Sequence, residues 1–363
     1  MTRRVYVHVG APKTGTTYLQ DRLAANRAEL AQHAVHYPLG LSSSHFRAAL
    51  DLIDVSWGGQ RDNAVGEWDK LMDRVRRHNG TLIISHEILA AAQPRQVKQA
   101  MADLAGDEVH LVYTARDLAR QIPAEWQEGI KHRRRRSFAK FLTQVQAANR
   151  TQSTMWFWKV QSLPDVLTRW GSGLPPERVH VVTVPQAGAP PDLLWTRYCQ
   201  ALGIDLAWAP DETARVNASI GTAESALIRK LNRRLKKGAL RGPDYQRLVR
   251  QLVVHDTLAH RESMTRATLP PFAYDWAETV AAEWLEWIAG AGVQVVGDLD
   301  DLRPVRPAAR PRWQDPDKPG NGEMVDAALD ALVAVLKEAA SRPDPREQMS
   351  AKIGRAARRL RGQ

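Results

Sequence analysis

Near its start the chain joins a strand pattern to a helix pattern through a loop that contains glycine. The segment reads VYVHVGAPKTGTTYLQ and spans residues 5–20. Residues 5–9 alternate and are rich in valine, which is typical of a strand, whereas Leu19, Leu23 and Leu30 share one face of a helix. Such a loop binds anions, because the unpaired N–H groups and the positive dipole end of the helix point at the bound group.

This loop differs at one position from the phosphate-binding loop of enzymes that use nucleoside triphosphates. Gly10 and Gly15 have the spacing of G-x-x-x-x-G-K-[ST], and Thr17 stands where that pattern has Ser or Thr. The lysine position is occupied by Thr16, and the lysine of this loop is Lys13. A lysine after the second glycine reaches the β- and γ-phosphates, which Thr16 cannot do. The arrangement therefore suits a single phosphate that carries a reactive group better than a triphosphate.

Several groups of the loop can bind an anion. Gly15 removes the Cβ that would block close approach of the backbone. Lys13 supplies a full positive charge, and Pro12 fixes the direction in which the lysine leaves the chain. Three hydroxyl donors come from Thr14, Thr16 and Thr17.

Short apolar runs rich in β-branched residues recur after the loop and alternate with helical patterns. The runs are TLIIS (81–85), VHLVYTA (109–115) and VHVVTVP (179–185). Runs of this kind suit strands that are buried on both faces of a parallel sheet. The sequence therefore predicts an α/β fold with a P-loop-like parallel β-sheet flanked by helices. The helical patterns lie at 64–78, 93–105, 117–131, 137–149, 158–171, 194–204 and 222–265.

Composition divides the chain into three segments. Residues 1–302 form the predicted main domain, 303–322 a proline-rich linker, and 323–363 a helical, basic C-terminal appendage. The appendage begins with EMVDAALDALVAVLKEAA, whose apolar stripe should be buried. We expect it to dock on the main domain rather than to pair with its copy in a homodimer or to shield a cleft. The stripe runs through Met324, Ala328, Leu332, Val335 and Ala339.

The net charge of +11 is concentrated in three runs, KHRRRR (131–136), RKLNRRLKK (229–237) and RAARRLR (355–361). Such charge could attract nucleic acid, anionic lipid or a multiply charged small ligand. No nucleic-acid-binding module is recognisable, so we do not expect a nucleic acid partner. Cys199 is the only cysteine, which excludes an internal disulfide and argues against a thiolate metal site. No apolar run approaches the roughly 18 residues of a membrane span, and we expect a cytoplasmic location.

Two segments resemble a known superfamily. PKTGTTYLQ (12–20) resembles the 5′-phosphosulfate loop of sulfotransferases that use 3′-phosphoadenosine 5′-phosphosulfate (PAPS), which have P-K-[ST]-G-T-[ST] after the first strand. In VYTARDLARQIPAEWQEGIK (112–131), Arg116 stands where this family has an arginine that grips the 3′-phosphate, a task that suits a guanidinium. The family usually has a serine eight residues later, where this chain has Ala124. Later segments, such as ERVHVVTVP (177–185) and LWTRYCQALGID (194–205), resemble a bacterial branch of this superfamily, so the resemblance covers roughly residues 1–240.

The resemblance implies an enzyme that moves a sulfuryl group from PAPS to a hydroxyl of a small molecule or carbohydrate, leaving PAP and using no metal. The 5′-phosphosulfate would lie on Pro12, Lys13, Thr14, Gly15, Thr16 and Thr17, and the 3′-phosphate on Arg116. Lys13 would also stabilise the charge that grows on the leaving phosphate. Gln121, Gln127 and Lys131 are alternatives for the donor missing at Ala124.

The base for the acceptor hydroxyl should follow a neighbouring parallel strand, where such folds gather their sites. TLIISHEIL (81–89) supplies His86 and Glu87 there, and members of the family use either residue type. We favour Glu87 and keep His86 as the alternative. Aromatic rings stack on sugar faces and on adenine, which makes Trp126, Trp156 and Trp158 candidates for an acceptor pocket. The alternative is that they are core residues, as most tryptophans are.

Two other functions compete with this interpretation. One is a P-loop-like nucleotide kinase or phosphotransferase, which Thr16 and the missing aspartate after LIIS disfavour. The other is a basic, non-catalytic protein that binds a nucleotide or nucleic acid, whose affinity should fall steeply with salt.

Overall fold

The computed structural model describes residues 3–39, 42–57, 59–212, 219–236, 238–307 and 313–342. Its strands are β1 (Arg4–His8), β2 (Val35–His36), β3 (Thr81–Ser85), β4 (Glu108–Ala115), β5 (Val179–Thr183) and β6 (Gln294–Val296). Its α-helices are α1 (Thr16–Ala25), α2 (Arg27–Gln32), α3 (Ser42–Ile53), α4 (Glu67–Arg76), α5 (Pro94–Asp103), α6 (Leu118–Lys131), α7 (Phe138–Ala147), α8 (Trp156–Gln161), α9 (Leu163–Gly171), α10 (Leu193–Leu202), α11 (Thr222–Arg234), α12 (Gly242–Tyr245), α13 (Tyr274–Ala291) and α14 (Asn321–Ala340).

The six strands form one parallel sheet in the order β2-β3-β1-β4-β5-β6. The predicted α/β fold, with a parallel sheet flanked by helices and a helical C-terminal region, is confirmed. The four central strands lie where the β-branched runs predict them. The edge strands β2 and β6 have only two and three residues, too few to give a periodic signal.

Residues of the chain group into two compact units. The first comprises Met1–Gly129, Arg136–Asn217 and Ala267–Asp315, and it contains the whole sheet. The second comprises Ile130–Arg135, Ala218–Arg266 and Pro316–Gln363. The units are defined by contacts and not by position along the chain, so the division of the sequence at residues 302 and 322 stays a prediction.

One face of the sheet in the first unit packs against α1 and α10. Tyr6, Ile83, Val112 and Val182 of the four central strands contribute to this core. Burial on this face fixes the register of the strands, since a slip of one residue would turn these side chains to the other face. The helical residues of the same core include Leu19, Leu23, Trp195, Tyr198 and Leu202.

The single helix predicted over 158–171 is wrong. Two helices occupy this stretch, because Ser162 has extended backbone between α8 and α9. Pro164 lies in the first turn of α9, where its missing N–H costs no hydrogen bond. Proline in the interior of one continuous helix would instead lose a hydrogen bond and clash with the preceding turn.

In the second unit α14 packs against α11 and a π-helix at Gln246–His255. Its contact side consists largely of small residues, with Ala327 fully buried. The predicted stripe is therefore wrong for Leu332, Val335 and Ala339, which are exposed. Small side chains allow the closest approach of the neighbouring helices, so alanines such as Ala327 face inward and the larger apolar side chains face outward. The basic end of the predicted appendage, 343–363, lies outside the described residues.

The first arginine run has local partners in the second unit. Arg133 donates to the carbonyl of Leu240 at 2.8 Å and lies over the ring of Tyr245. Arg135 donates to the carbonyl of Leu235 at 2.8 Å. Within the described part of the chain, no helix has the length and apolar character needed to cross a membrane.

Candidate functional site

The parallel register brings three segments of the first unit together at one edge of the sheet. His8 at the end of β1 lies beside Ser85 of β3 and Val112 of β4. The loop at residues 9–15 follows β1, and His86 follows β3. Arg116 follows β4 directly. The structure therefore gathers the predicted loop, the predicted bases and the predicted phosphate arginine at the carboxyl ends of neighbouring strands.

Two glycines give the loop its shape. Gly10 has φ +125°, and a Cβ there would lie 3.1 Å from the carbonyl oxygen of Glu87, so only glycine lets the two segments approach this closely. Gly15 has φ +86° and precedes the first residue of α1. The N–H groups of the first turn, from Thr16 onward, have no partner within the helix. They are the N–H groups that the sequence predicts to bind an anion.

Two buried side chains, from α6 and α8, donate hydrogen bonds to the loop. Gln121 of α6 and Gln161 of α8 donate to the carbonyl oxygen of Pro12 at 2.7 and 2.9 Å. Gln121 also donates to Gln161 Oε1 at 2.7 Å. Both amide hydrogens of Gln121 are thus used, and Gln121 is a poor substitute for the donor missing at Ala124. Its role is to position the loop.

The threonines of the loop differ in what they can offer. The hydroxyl of Thr14 is buried and donates to the carbonyl of Ala11. The hydroxyl of Thr16 lies 3.4 Å from the same oxygen, while Thr17 is half-buried. Any contribution of Thr14 to anion binding would therefore come from its backbone N–H rather than from its hydroxyl.

Lys13 is surrounded by carboxylates. Its Nζ lies 2.9 Å from Glu128 Oε2 on α6. Burial lowers the pKa of Lys13, but Glu128 and the charges of Glu125 and Glu87 outweigh burial and raise this pKa above its ordinary value. Lys13 is therefore a full cation at neutral pH.

Arg116 contacts the loop directly, because its Nη1 donates to the carbonyl oxygen of Lys13 at 3.2 Å. The adjacent Asp117 caps α6 by accepting from the backbone N–H of Arg120 at 3.0 Å, and it also forms an ion pair with the Arg120 side chain. Arg116, which follows β4, thus brings a second cationic side chain to the loop that carries Lys13.

His86 and Glu87 differ in their surroundings. His86 is buried and its Nδ1 accepts from the N–H of Ile88 at 3.2 Å. Burial lowers the pKa of His86, and the nearby Glu87 opposes this only in part. The imidazole is therefore neutral, with its hydrogen on Nε2. Glu87 has a half-buried side chain, and its Oε2 accepts no hydrogen bond among the described residues.

The sequence interpretation missed Glu125. It is 8% exposed, and within the described chain its Oε1 has no hydrogen-bond partner. Burial raises the pKa of Glu125 to about 7, against the opposing effects of Lys13, Gln161 and Trp156. A signal was present, since Gln121, Glu125 and Glu128 are spaced i, i+4 and i+7 and so share one face of α6.

The predicted pocket tryptophans separate into two groups. Trp126 and Trp158 are 3% and 0% exposed, and their Nε1 atoms donate to the carbonyls of Arg136 and Val145. Both are core residues, so their assignment to a pocket is wrong. Trp156 is half-buried at the start of α8.

Comparisons with known proteins identify no relative. No protein-family model, curated protein or solved structure matches the chain. Across the described ranges, no group of three or more His, Cys, Asp or Glu side chains is arranged to hold a metal ion.

Proposed function

We propose that this chain transfers a sulfuryl group from PAPS to a hydroxyl of a small-molecule or carbohydrate acceptor. The observation that supports this proposal most is the hydrogen bond from Arg116 to the backbone of Lys13 in the loop that leads into α1. A ligand with two separate anionic groups suits a loop lysine, an arginine that follows another strand and a helix N-terminus.

The donor set fits PAPS, whose 5′-phosphosulfate and 3′-phosphate are two such groups. The N–H groups of the loop and of the first turn of α1, together with Lys13, would hold the 5′-phosphosulfate. Arg116 would hold the 3′-phosphate. When bound, PAPS supplies the sulfuryl group and the phosphate that leaves.

In the proposed reaction the acceptor oxygen forms a bond to sulfur while the bond between sulfur and the phosphate oxygen breaks. Glu87 accepts the proton of the acceptor hydroxyl, and Lys13 stabilises the negative charge left on the phosphate. Glu87 suits this role better than His86, because Nδ1 of His86 already accepts a hydrogen bond from Ile88 and the ring carries its hydrogen on Nε2.

A kinase that uses magnesium and ATP fits less well. Thr16 stands where such an enzyme places its phosphate-binding lysine. The hydroxyl of Thr16 is buried against the carbonyl of Ala11. Thr16 therefore supplies neither the positive charge nor the side-chain length of the missing lysine.

The proposal is tested by incubating the chain with PAPS and a panel of phenols and sugars, and detecting PAP and a sulfated product by mass spectrometry. Lys13→Ala should lower kcat by roughly 10²–10³, as is typical for the loss of one charge-stabilising group. The matched control is Lys98→Ala, which removes an exposed lysine of α5. Near-normal turnover by Lys13→Ala would contradict the mechanism, and transfer of phosphate from ATP instead would replace the proposed function.

A further inference from the structure

Three half-buried aromatic side chains of the first unit form a continuous row, which we call the aromatic wall: Phe46, Trp57 and Trp156. The ring centroids of Phe46 and Trp57 lie 6.3 Å apart, and those of Trp57 and Trp156 lie 5.1 Å apart. The three residues come from distant parts of the chain, since Phe46 belongs to α3 and Trp156 begins α8. Half-buried aromatic side chains in a row offer a stacking surface to a ligand.

Each end of the aromatic wall adjoins the candidate site. At one end, the Phe46 ring lies 5.2 Å from the ring of His86, next to Glu87. At the other end, Trp156 is close enough to Glu125 to lower the pKa of its carboxyl. Glu125 in turn lies close enough to Lys13 for the lysine charge to lower its pKa. The wall therefore extends from the proposed base to a buried carboxyl beside the loop lysine.

Besides His86, two carboxyls border the aromatic wall. Glu87 and Glu125 each have a buried oxygen without a hydrogen-bond partner in the described residues. An ionised carboxyl accepts hydrogen bonds and offers none, so these two oxygens suit ligand hydroxyls at pH values above about 7, the pKa of Glu125. The carboxylate of Glu128 is paired with Lys13 Nζ at 2.9 Å. Glu87 and ionised Glu125 disfavour an acceptor that carries negative charge.

We propose that the aromatic wall and Glu125 form the acceptor subsite, and that its ligand is an uncharged sugar ring. The C–H face of the ring would stack on Trp57, and its edge would meet Trp156, whose ring plane is inclined at 61° to that of Trp57. Its hydroxyls would donate to Glu125 and Glu87. This inference rests on the proposed function for the identity of the transferred group. It goes further in two respects. It names the residues that bind the acceptor, and it states that these residues disfavour anionic acceptors.

A ring with several hydroxyls fits better than a simple phenol. A phenol has one hydroxyl and could satisfy only one of the two carboxyl oxygens. A sugar ring has an apolar face for the wall and hydroxyls around its edge for both. Leaving either buried oxygen without a partner would cost binding free energy.

Saturation-transfer NMR titrations in the presence of PAP test the subsite directly. The probes are methyl glucoside, glucuronic acid and phenol. At about pH 8, methyl glucoside should bind, with the strongest transfer to the C–H protons of one ring face. Glucuronic acid should bind at least about fivefold more weakly because of Glu87 and ionised Glu125. Trp57→Ala should weaken binding of methyl glucoside about fivefold. Glu125→Gln should raise the affinity for glucuronic acid relative to that for methyl glucoside.

Trp208→Ala is the matched control, because Trp208 is also half-buried and stacks on His33 with centroids 4.4 Å apart. It should leave the affinity for methyl glucoside unchanged. Circular dichroism and PAP affinity show whether each variant is folded, and Trp57→Phe is the substitute where Trp57→Ala is not. If the Trp57 and Trp208 variants both bind PAP tightly and bind methyl glucoside with equal affinity, the proposed subsite is wrong. Binding of phenol alone, or of glucuronic acid as well as methyl glucoside, would overturn the sugar assignment. Sugar binding without PAP binding would contradict the proposed function and leave the subsite standing.

Discussion

The ammonium group of Lys13 lies 2.9 Å from a carboxylate oxygen of Glu128, at the loop where an anion is proposed to bind. The Lys13 and Glu128 side chains are 33% and 23% exposed, so the pair is worth no more than about 1 kcal/mol. A bound phosphate must compete with Glu128 for the lysine.

Glu128→Gln should therefore raise the affinity for PAP, by up to about fivefold, because it removes the competitor and one repulsive charge. Calorimetric titration with PAP measures the change. Glu177→Gln removes an exposed carboxylate elsewhere in the first unit and should have no effect. A lower PAP affinity in Glu128→Gln would mean that Glu128 positions Lys13 for the ligand rather than competing with it.

Arg116→Ala should chiefly weaken binding of PAP. The loss of a charged hydrogen-bond pair to phosphate is worth about 2–3 kcal/mol, which corresponds to about a thirty- to hundredfold drop in affinity. Affinity for adenosine 5′-phosphosulfate, which lacks the 3′-phosphate, should barely change. Arg95→Ala, at an exposed position of α5, controls for the change in net charge. Equal losses for both ligands would assign Arg116 to supporting the carbonyl of Lys13 and not to binding the 3′-phosphate.

The proton acceptor can be assigned with two substitutions. Glu87→Gln should abolish transfer, because the amide cannot accept the proton of the acceptor hydroxyl. His86→Asn should keep at least about a tenth of the rate, since His86 is neutral and serves mainly to cap the turn at 87–91. The measurement is the initial rate of sulfated product at saturating PAPS. The opposite pattern assigns the role to His86, and activity in both variants would remove this strand end from the mechanism.

Stability should fall at mildly acidic pH because of His8, which is fully buried between Ser85 and Thr114. Burial lowers the pKa of His8 from 6.5 to about 3. The unfolded chain therefore binds more protons than the folded chain between these values, and the free energy of unfolding decreases as pH falls below 6.5. Each pKa unit corresponds to about 1.4 kcal/mol.

The measurement is urea unfolding at several pH values between 7.5 and 4. His8→Gln keeps a donor and an acceptor but does not titrate, so its stability should decline less steeply with acid than that of the wild-type chain. His45 is also buried, with a pKa of about 4. The stability of His8→Gln should therefore still depend on pH to some extent. If the free energy of unfolding fell equally with acid in His8→Gln and in the wild-type chain, His8 would not account for the loss of stability at low pH.

The sheet and the loop could be predicted from sequence because their signals are local. β-branched runs mark the central strands, and the helices between them indicate that the strands run parallel. The loop, Glu87 and Arg116 are then expected to lie close together, because the carboxyl ends of parallel strands meet at the same side of the sheet.

Other features depend on neighbours that a linear pattern does not show. The buried carboxyl of Glu125 is recognisable only once α6 lies against the loop. The alanine-rich helix α14 has two apolar sides, and the packing of α11 and the π-helix selects the side with Ala327 rather than the side with Leu332. The tryptophans likewise could not be divided between core and site without knowing that Trp126 and Trp158 are buried.

The proposed PAPS site can be probed by calorimetric titration of the wild-type chain with PAP, AMP and ATP, with and without magnesium. PAP should bind most tightly, and magnesium should not change its affinity. AMP should bind about thirty- to hundredfold more weakly, because it lacks the 3′-phosphate that Arg116 is proposed to hold. Binding of ATP with magnesium in preference to PAP, or equal affinities for PAP and AMP, would rule out a PAPS site.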